Sequence, residues 1–346
     1  MSSVRIINSV APTRICDVGG WTDTWYAKRG CVFNIAVYPY VEVQIKAYSQ
    51  KTGEDRLIIN LENYGDTISV DPANIKYGQY PLIEAAIDSV APLKNMSCEV
   101  NIYSSMPPGA SAGTSASLTV ALIGALDALT EGHLSVAEVA RLAHEVETVK
   151  LGRQSGIQDQ LCAAFGGINY IEMHEYPHAI VSPLKLSDSI LWELERRLML
   201  VYIGTPHDSS TVHKKVIEKL GNNAENSSYI EELRKLAQKV KNYLYDGDFK
   251  RFGDCLNQST QVLREMHPDL VCQKFEDIIE ICNAYHVLGC KVNGAGGDGG
   301  TITVLTDRDM NTKRALMREL AIKGYEVIPI SLAKEGLRVE SYGKAE

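Results

Sequence analysis

No stretch of this sequence approaches the roughly 20 consecutive apolar residues that a membrane-spanning helix requires. The opening segment MSSVRIINSVAPTR meets charge at Arg5 before the apolar core of a secretory signal can form. A cytoplasmic protein without a membrane partner is therefore expected. The eight cysteines are dispersed and include no CxxC pair, which removes the usual dithiol and zinc-ribbon patterns and reads as free thiols in a reducing compartment. Lysine and arginine are scattered instead of gathered into a stripe, and a formal net charge of −8 argues against a nucleic-acid footprint. Internal repeats and low-complexity tracts are missing as well.

What is present is ordinary globular material, 45% hydrophobic and 23% charged, in a chain of 346 residues. That length suggests two apposed domains or one bilobed unit. Val41, Val43, Ile45 and Ala47 alternate with Glu42, Gln44, Lys46 and Tyr48, the period-2 signature of a half-buried strand. Residues 97 to 105 read as another strand. From Ser115 to Leu129 the chain is apolar on nearly every side and reads as a buried helix. Ser135 and Glu138 form an S-x-x-E capping box for the next helix, and residues 156 to 165 look helical again. INYIEM and RLMLVYIG supply strands, three long amphipathic helical stretches fill about 209 to 286, and a short strand lies at 288 to 292. The strand TITVLT, a helix at 309 to 323 and the strand YEVIPIS close the chain. This mixture predicts an α+β fold. The stretch 174 to 190 reads as the crossing between domains, giving a unit at 1–178 and a second at 179–346.

Four segments carry chemistry. PPGASAGTSAS, residues 107 to 117, sets glycines and hydroxyls before a helix N-terminus, where backbone N–H groups and the helix dipole favour phosphate. It is not a Walker A loop, because Thr114 stands where the lysine would be; a hydroxyl such as Ser115 suits the magnesium that accompanies a nucleotide. Downstream, Glu147 and Asp159 are separated by a turn that can bring both acids to one pocket, one for the metal and one for the proton of an attacking hydroxyl. APTRICDVGGWTDTW, residues 11 to 25, packs Arg14, Asp17, Thr22 and Asp23 around Gly19 and Gly20 beside Trp21 and Trp25, a combination that suits a polyhydroxylated ligand. Gly294 to Gly299 satisfies GxGxxG, but the strand TITVLT follows it where a dinucleotide fingerprint needs a helix. His174 to His178 spells HExxH, with Pro177 inside the turn that the zinc motif needs as helix. His144, His207 and His213 show no ligand spacing.

The order of these segments resembles the GHMP kinase superfamily, whose members carry an APxR or APxK start, a PxxxGLGSS loop opening a helix, an acid pair and a GxGGGG run. GGWTDTW and KLGRQSGIQDQLCAAFGGINYIE look closer to bacterial heptose kinases and fucokinase-like enzymes than to isoprenoid-pathway members. The resemblance implies two α+β lobes with the active site in the cleft between them, and Mg-ATP as the phosphoryl donor. Pro108, Gly109, Ala110, Ser111, Ala112, Gly113, Thr114 and Ser115 would cradle the ATP phosphates, and Ser115 and Glu147 would hold Mg2+. Asp159 would be the catalytic base with Arg14 beside it. Asp17, Gly20, Trp21, Thr22 and Asp23 would face the sugar, with Gly294, Gly296 and Gly297 closing the site. The implied acceptor is a heptose 7-phosphate or a fucose-like sugar at its anomeric hydroxyl, with Lys28 and Arg29 as a grip for a distal phosphate. Another small alcohol, or nicotinamide chemistry at Gly294 to Gly299, is the alternative; a homodimer is left open. Departures from the family are Gly20-Trp21 where galactokinases have Glu-His, Ser111-Ala112-Gly113-Thr114 in the phosphate loop, and Asp298 in place of a glycine.

Overall fold

A computed structural model of the protein describes residues 4–49, 57–90, 96–130, 133–205, 209–221 and 227–343; His207 lies outside them. Two long strands form its spine. β1 (Val4–Val18) and β2 (Gly30–Ser49) pair antiparallel along most of their length. The alternation at 41 to 48 belongs to the second half of β2, where Val41, Val43, Ile45 and Ala47 are buried and Glu42 is exposed. β3 (Leu57–Leu61), β4 (Asp66–Val70) and β5 (Met96–Ser104) extend the sheet on that half, in the order β1-β2-β5-β3-β4. Helix α1 (Pro81–Ile87) packs below it.

Helix α2 (Thr114–Asp127) is buried along most of its length, with Val120, Ala121, Leu122 and Ile123 fully enclosed. Each such leucine or isoleucine contributes roughly 1.5–3 kcal/mol on removal from water. α3 (Val136–Glu145) starts at the Ser135–Glu138 capping box, in which each partner bonds the other's backbone N–H, and runs into one turn of π-helix at Val146–Lys150. α4 (Gln158–Phe165) follows. β6 (Ile168–Glu175) pairs with the first half of β2, and β7 (His178–Pro183) pairs with β6.

After α5 (Asp188–Arg197), β8 (Leu198–Tyr202) begins a second sheet. α6 (Ser209–Leu220), α7 (Ser228–Tyr245), α8 (Phe249–Met266) and α9 (Gln273–Ala284) lead to β9 (Gly289–Val292) and β10 (Thr301–Leu305). α10 (Met310–Ile322) and β11 (Glu326–Ile328) complete this lobe, a four-stranded sheet in the order β11-β8-β10-β9. β12 (Ser331–Leu332) and β13 (Arg338–Tyr342) then return to the first sheet, on β2 and β1. Among the described residues no helix is long and apolar enough to cross a membrane.

Three readings of organisation change. The region 209 to 286 holds four helices instead of three. Within 174 to 190, read as the crossing between domains, residues 178 to 183 are strand β7 in the first sheet. A single cut after 178 also fails, because β13 forms a ladder with β1 and the Leu337 N–H bonds the Ala164 carbonyl. The lobes share one apolar core, in which Ile15 and Phe33 of the first sheet meet α7 and α8; Phe33 and Phe252 stack edge-on at 5.8 Å. This packing fixes the end of β1 against the second lobe, where the cleft opens.

Candidate active site

β1 does not run straight into the cleft. Its register with β2 shifts between Ile15 and Val18, and Cys16 adopts φ 59°, a bulge that re-aims the residues after it. The freed Cys16 N–H donates to Asn293 Oδ1 at 3.1 Å. Asp17 Oδ2 accepts the Gly294 N–H at 3.0 Å, while Oδ1 lies 3.4 Å from Lys291 Nζ. The bulge therefore clasps the glycine run of the second lobe.

One residue before the bulge region, Arg14 reaches into the cleft. Its Nε and Nη2 donate to Asp159 Oδ1 and Oδ2 at 2.7 and 3.1 Å, and Nη1 donates to the Ser111 carbonyl. Burial works against the Arg14 charge, but Asp159 and Asp17 outweigh it and hold the proton more tightly than usual. Gly113 crosses directly over this pair. Its φ is +71°, and a Cβ there would sit 3.3 Å from the Asp159 carboxyl, so only glycine brings the loop so near. Gly113 is also the N-cap of α2 and offers no side-chain cap, which leaves the first N–H groups of the helix for a ligand. The hydroxyls of Ser111 and Thr114 are buried with no partner among the described residues.

These elements enclose a cavity of about 470 Å³, walled by Arg14, Trp21, Asp23, residues 109 to 116, Glu147, residues 153 to 156, Gln158, Asp159, Gly294 and Ala295. A second cavity of about 280 Å³ adjoins it. Leu61, Tyr64, Tyr80, Ile102, Met106 and Pro108 give that one an apolar wall, and Gly109, Thr114, Ser115 and Arg153 line both. The structure brings Asp159, Arg14, Glu147, Trp21, Asp23, Gly294 and residues 109 to 115 of the loop to the first cavity, and sets Pro108 in the wall of the second.

Glu147 sits in the π-turn with its carboxylate accepting from Gln160 Nε2 at 3.2 Å. Burial and then the nearby Asp159 charge raise its proton affinity, opposed by Ser155 and Arg153. A buried carboxylate beside another acid, facing hydroxyls at a helix start, suits a hard divalent cation that keeps waters and takes few protein ligands. Glu147 and Ser115 are the pair that fit. Among the described residues no group of three or more histidines, cysteines or acids is placed to hold a metal ion.

At the acceptor end, Asp23 Oδ2 takes the backbone N–H groups of Ile157 and Gln158, both at 3.0 Å. Gly156 permits this, since a Cβ there would lie 2.2 Å from the same oxygen. Burial pushes the Asp23 carboxyl up to about 6, against the Gln158 bond that lowers it. The folded chain therefore holds a proton that the unfolded chain has released between 3.8 and about 6, and stability falls as pH rises through that window, by roughly 3 kcal/mol. Asp23→Asn should flatten this slope in urea titrations from pH 4 to 7. Parallel curves for the two proteins would show that the carboxyl is not desolvated.

Asp17, Thr22, Gly20, Gly296 and Gly297, expected at the acceptor, do not line the cavity. Asp17 is fully buried and turned to Lys291 and Gly294 by the bulge. The Thr22 hydroxyl donates to the carbonyls of Gly19 and Cys31 and accepts the Cys31 N–H, so it ties a loop. Gly20 lies behind the wall, packed on Asp17 and the Gln158 side chain. Gly296 and Gly297 back onto Leu270, whose carbonyl takes the Gly297 N–H at 3.0 Å. Lys28 and Arg29 do not line the cavity, and the exposed Asp298 offers its carbonyl to Thr205. Conversely, Arg153 and Gln158 were overlooked as site residues. Gln158 lines the cavity with its Oε1 buried and without a partner among the described residues. Their only sequence signal is position, in the turn between the two acids and next to Asp159.

The nicotinamide alternative ends here. Gly294 to Gly299 join antiparallel strands β9 and β10, so no helix N-terminus receives a pyrophosphate. Likewise, HExxH falls on the hairpin of β6 and β7.

Comparison with known proteins agrees with this geometry. Residues 81–167 match the N-terminal domain of GHMP kinases and residues 229–320 their C-terminal domain. The D-glycero-alpha-D-manno-heptose 7-phosphate kinase of Campylobacter jejuni is 29% identical over 247 residues, 71% of this chain and of that one. Mevalonate kinase of Pyrococcus abyssi is 25% identical over 357 residues, 97% of this chain and 98% of the relative. The crystal structure of a D-glycero-D-manno-heptose 1-phosphate kinase from Bacteriodes thetaiotaomicron superposes with a TM-score of 0.75 at 23% identity, covering 96% of this chain and 98% of that one. The chain belongs to the GHMP kinase family.

Proposed function

We propose that the protein is an ATP-dependent sugar kinase of the cytoplasm, acting on a small polyhydroxylated acceptor. The observation that carries this reading is the position of Asp159, in one cavity with the open start of α2 on one side and Asp23, Trp21 and Gln158 on the other. The phosphates would lie against residues 109 to 115 and the adenine in the adjoining apolar cavity, between Tyr64, Tyr80 and Met106. Asp159 accepts or orients the proton of the acceptor hydroxyl, here assigned to the anomeric position, as that oxygen forms its bond to the γ-phosphorus and ADP departs. Arg14 keeps the carboxylate aimed through its two N–H bonds. Magnesium held by Glu147 and Ser115 would supply charge neutralisation for the transferring phosphoryl group. The Asp23 carboxylate and the Gln158 amide supply directional contacts for neighbouring hydroxyls, and Trp21 an aromatic face.

ADP release measured across free sugars and sugar phosphates tests this, with heptose 7-phosphate, fucose, arabinose, galactose and glucuronate as candidates and homoserine as control. Mevalonate belongs in the panel on the strength of the full-length likeness to mevalonate kinase. A sugar should exceed mevalonate in kcat/KM by at least about 100-fold, as a site built for hydroxyls rejects a ligand that leaves them unpaired. Turnover of mevalonate above every sugar would replace the acceptor class and leave the phosphotransfer reading in place.

A further inference from the structure

A nucleotide triphosphate brings more negative charge to this cleft than one magnesium ion removes, and the phosphate loop has no lysine to meet the excess. Two cationic side chains, Arg14 and Arg153, line the cavity among the described residues. Arg14 is committed inward: both carboxylate oxygens of Asp159 and the Ser111 carbonyl take its N–H groups. Two further N–H groups remain on its guanidinium, but the side chain is only 5% exposed and its three bonds fix its direction toward the base. Arg153 is differently placed. It is exposed, and its charge bears on the Glu147 carboxylate, whose proton affinity it lowers. Its mount is nevertheless fixed, because the Arg153 N–H donates to the Glu147 carbonyl at 2.9 Å and Gly152 before it turns the chain at φ 62°. It also lines both the polar cavity and the apolar one, together with Gly109, Thr114 and Ser115. That seam is where a phosphate chain must pass when base and γ-phosphate occupy the two cavities.

We propose that Arg153 grips the nucleotide's phosphates at this seam, doing the neutralising work that a lysine does in other phosphate loops. The planar guanidinium can meet two phosphate oxygens through parallel N–H groups in a fixed fork, where a lysine acts as a point charge. The inference rests on the nucleotide reading of the two cavities, and a binding experiment separates the two. Calorimetric titration of wild type, Arg153→Met and Arg153→Lys with adenosine, ADP and ATP, all with magnesium, needs no acceptor and no turnover.

Arg153→Met should weaken ATP and ADP by about 10- to 100-fold, the size of a charged hydrogen bond to a ligand, and leave adenosine unchanged. Arg153→Lys should recover part of the loss, and the KM for the acceptor should stay within about twofold in both, as an effect confined to the phosphates requires. Equal ATP affinity in wild type and Arg153→Met would overturn the assignment while the nucleotide reading stands. An equal loss for adenosine and ATP would overturn it too, marking a structural effect on the loop. Failure of wild type to bind ATP would remove the nucleotide reading, and this inference with it.

Discussion

Asp159→Asn should lower kcat by about 1,000-fold, roughly 4 kcal/mol of transition-state stabilisation, with ATP affinity changed by no more than about threefold. The asymmetry follows from the geometry. Asp159 meets the phosphate loop only through the close approach of Gly113, and the N–H groups at the start of α2 do not depend on its charge. Asparagine keeps the shape and one oxygen for Arg14 Nε, so the loop stays fastened through the Ser111 carbonyl. What disappears is the group that can take a proton. The variant also leaves the buried Arg14 without its main countercharge, so a lower melting temperature is expected beside the loss of rate. Residual activity should be insensitive to added general bases, since the cleft positions the acceptor by other contacts. Measured kcat within about tenfold of wild type would reassign Asp159 from proton acceptor to structural partner of Arg14, because general-base removal costs at least about 100-fold.

How far the sequence led depends on whether a signal is local. Alternation in β2, the Ser135–Glu138 box, the glycine-rich loop before a buried helix and the two acids around a turn are each written in neighbouring residues, and the structure contains all four. Asp17 shows the limit. In a straight strand it would share the core face of Ile15, but the bulge at Cys16 and the register shift set it against Lys291, 274 residues away, and not at the acceptor. Nothing in APTRICDVGG announces a bulge, because Cys16 is not a residue that favours a left-handed φ. The glycine run fails similarly: composition says that the backbone comes close to something, and only packing says that Gly294 meets the cleft while Gly296 and Gly297 meet Leu270. The return of β13 to β1 is likewise decided by a partner at the far end of the chain.

The clasp at the bulge should be the most expensive single contact to break. Asp17 and Lys291 retain 0% and 2% of their side-chain exposure, so neither charge has water to fall back on. Lys291→Met would leave a buried carboxylate with the Gly294 N–H as its remaining side-chain hydrogen bond and the Arg14 charge nearby, and removing one member of a buried pair costs about 3–5 kcal/mol. In a chain of this size that corresponds to a fall in Tm of roughly 4–7 °C, readable by thermal denaturation. Asp17→Asn combined with Lys291→Met should then regain more than half of the loss, because the amide oxygen can still accept from Gly294 and no charge is stranded. Two single variants each costing under about 1 kcal/mol, as exposed pairs do, would mean that solvent reaches the pair. Activity should follow the same order as stability only in part. The double variant is expected to recover its fold and its rate together, since the Gly294 N–H keeps an acceptor at position 17. Lys291→Met should lose rate even below its melting point, because a carboxylate in search of water pulls on β1, the strand that also carries Arg14.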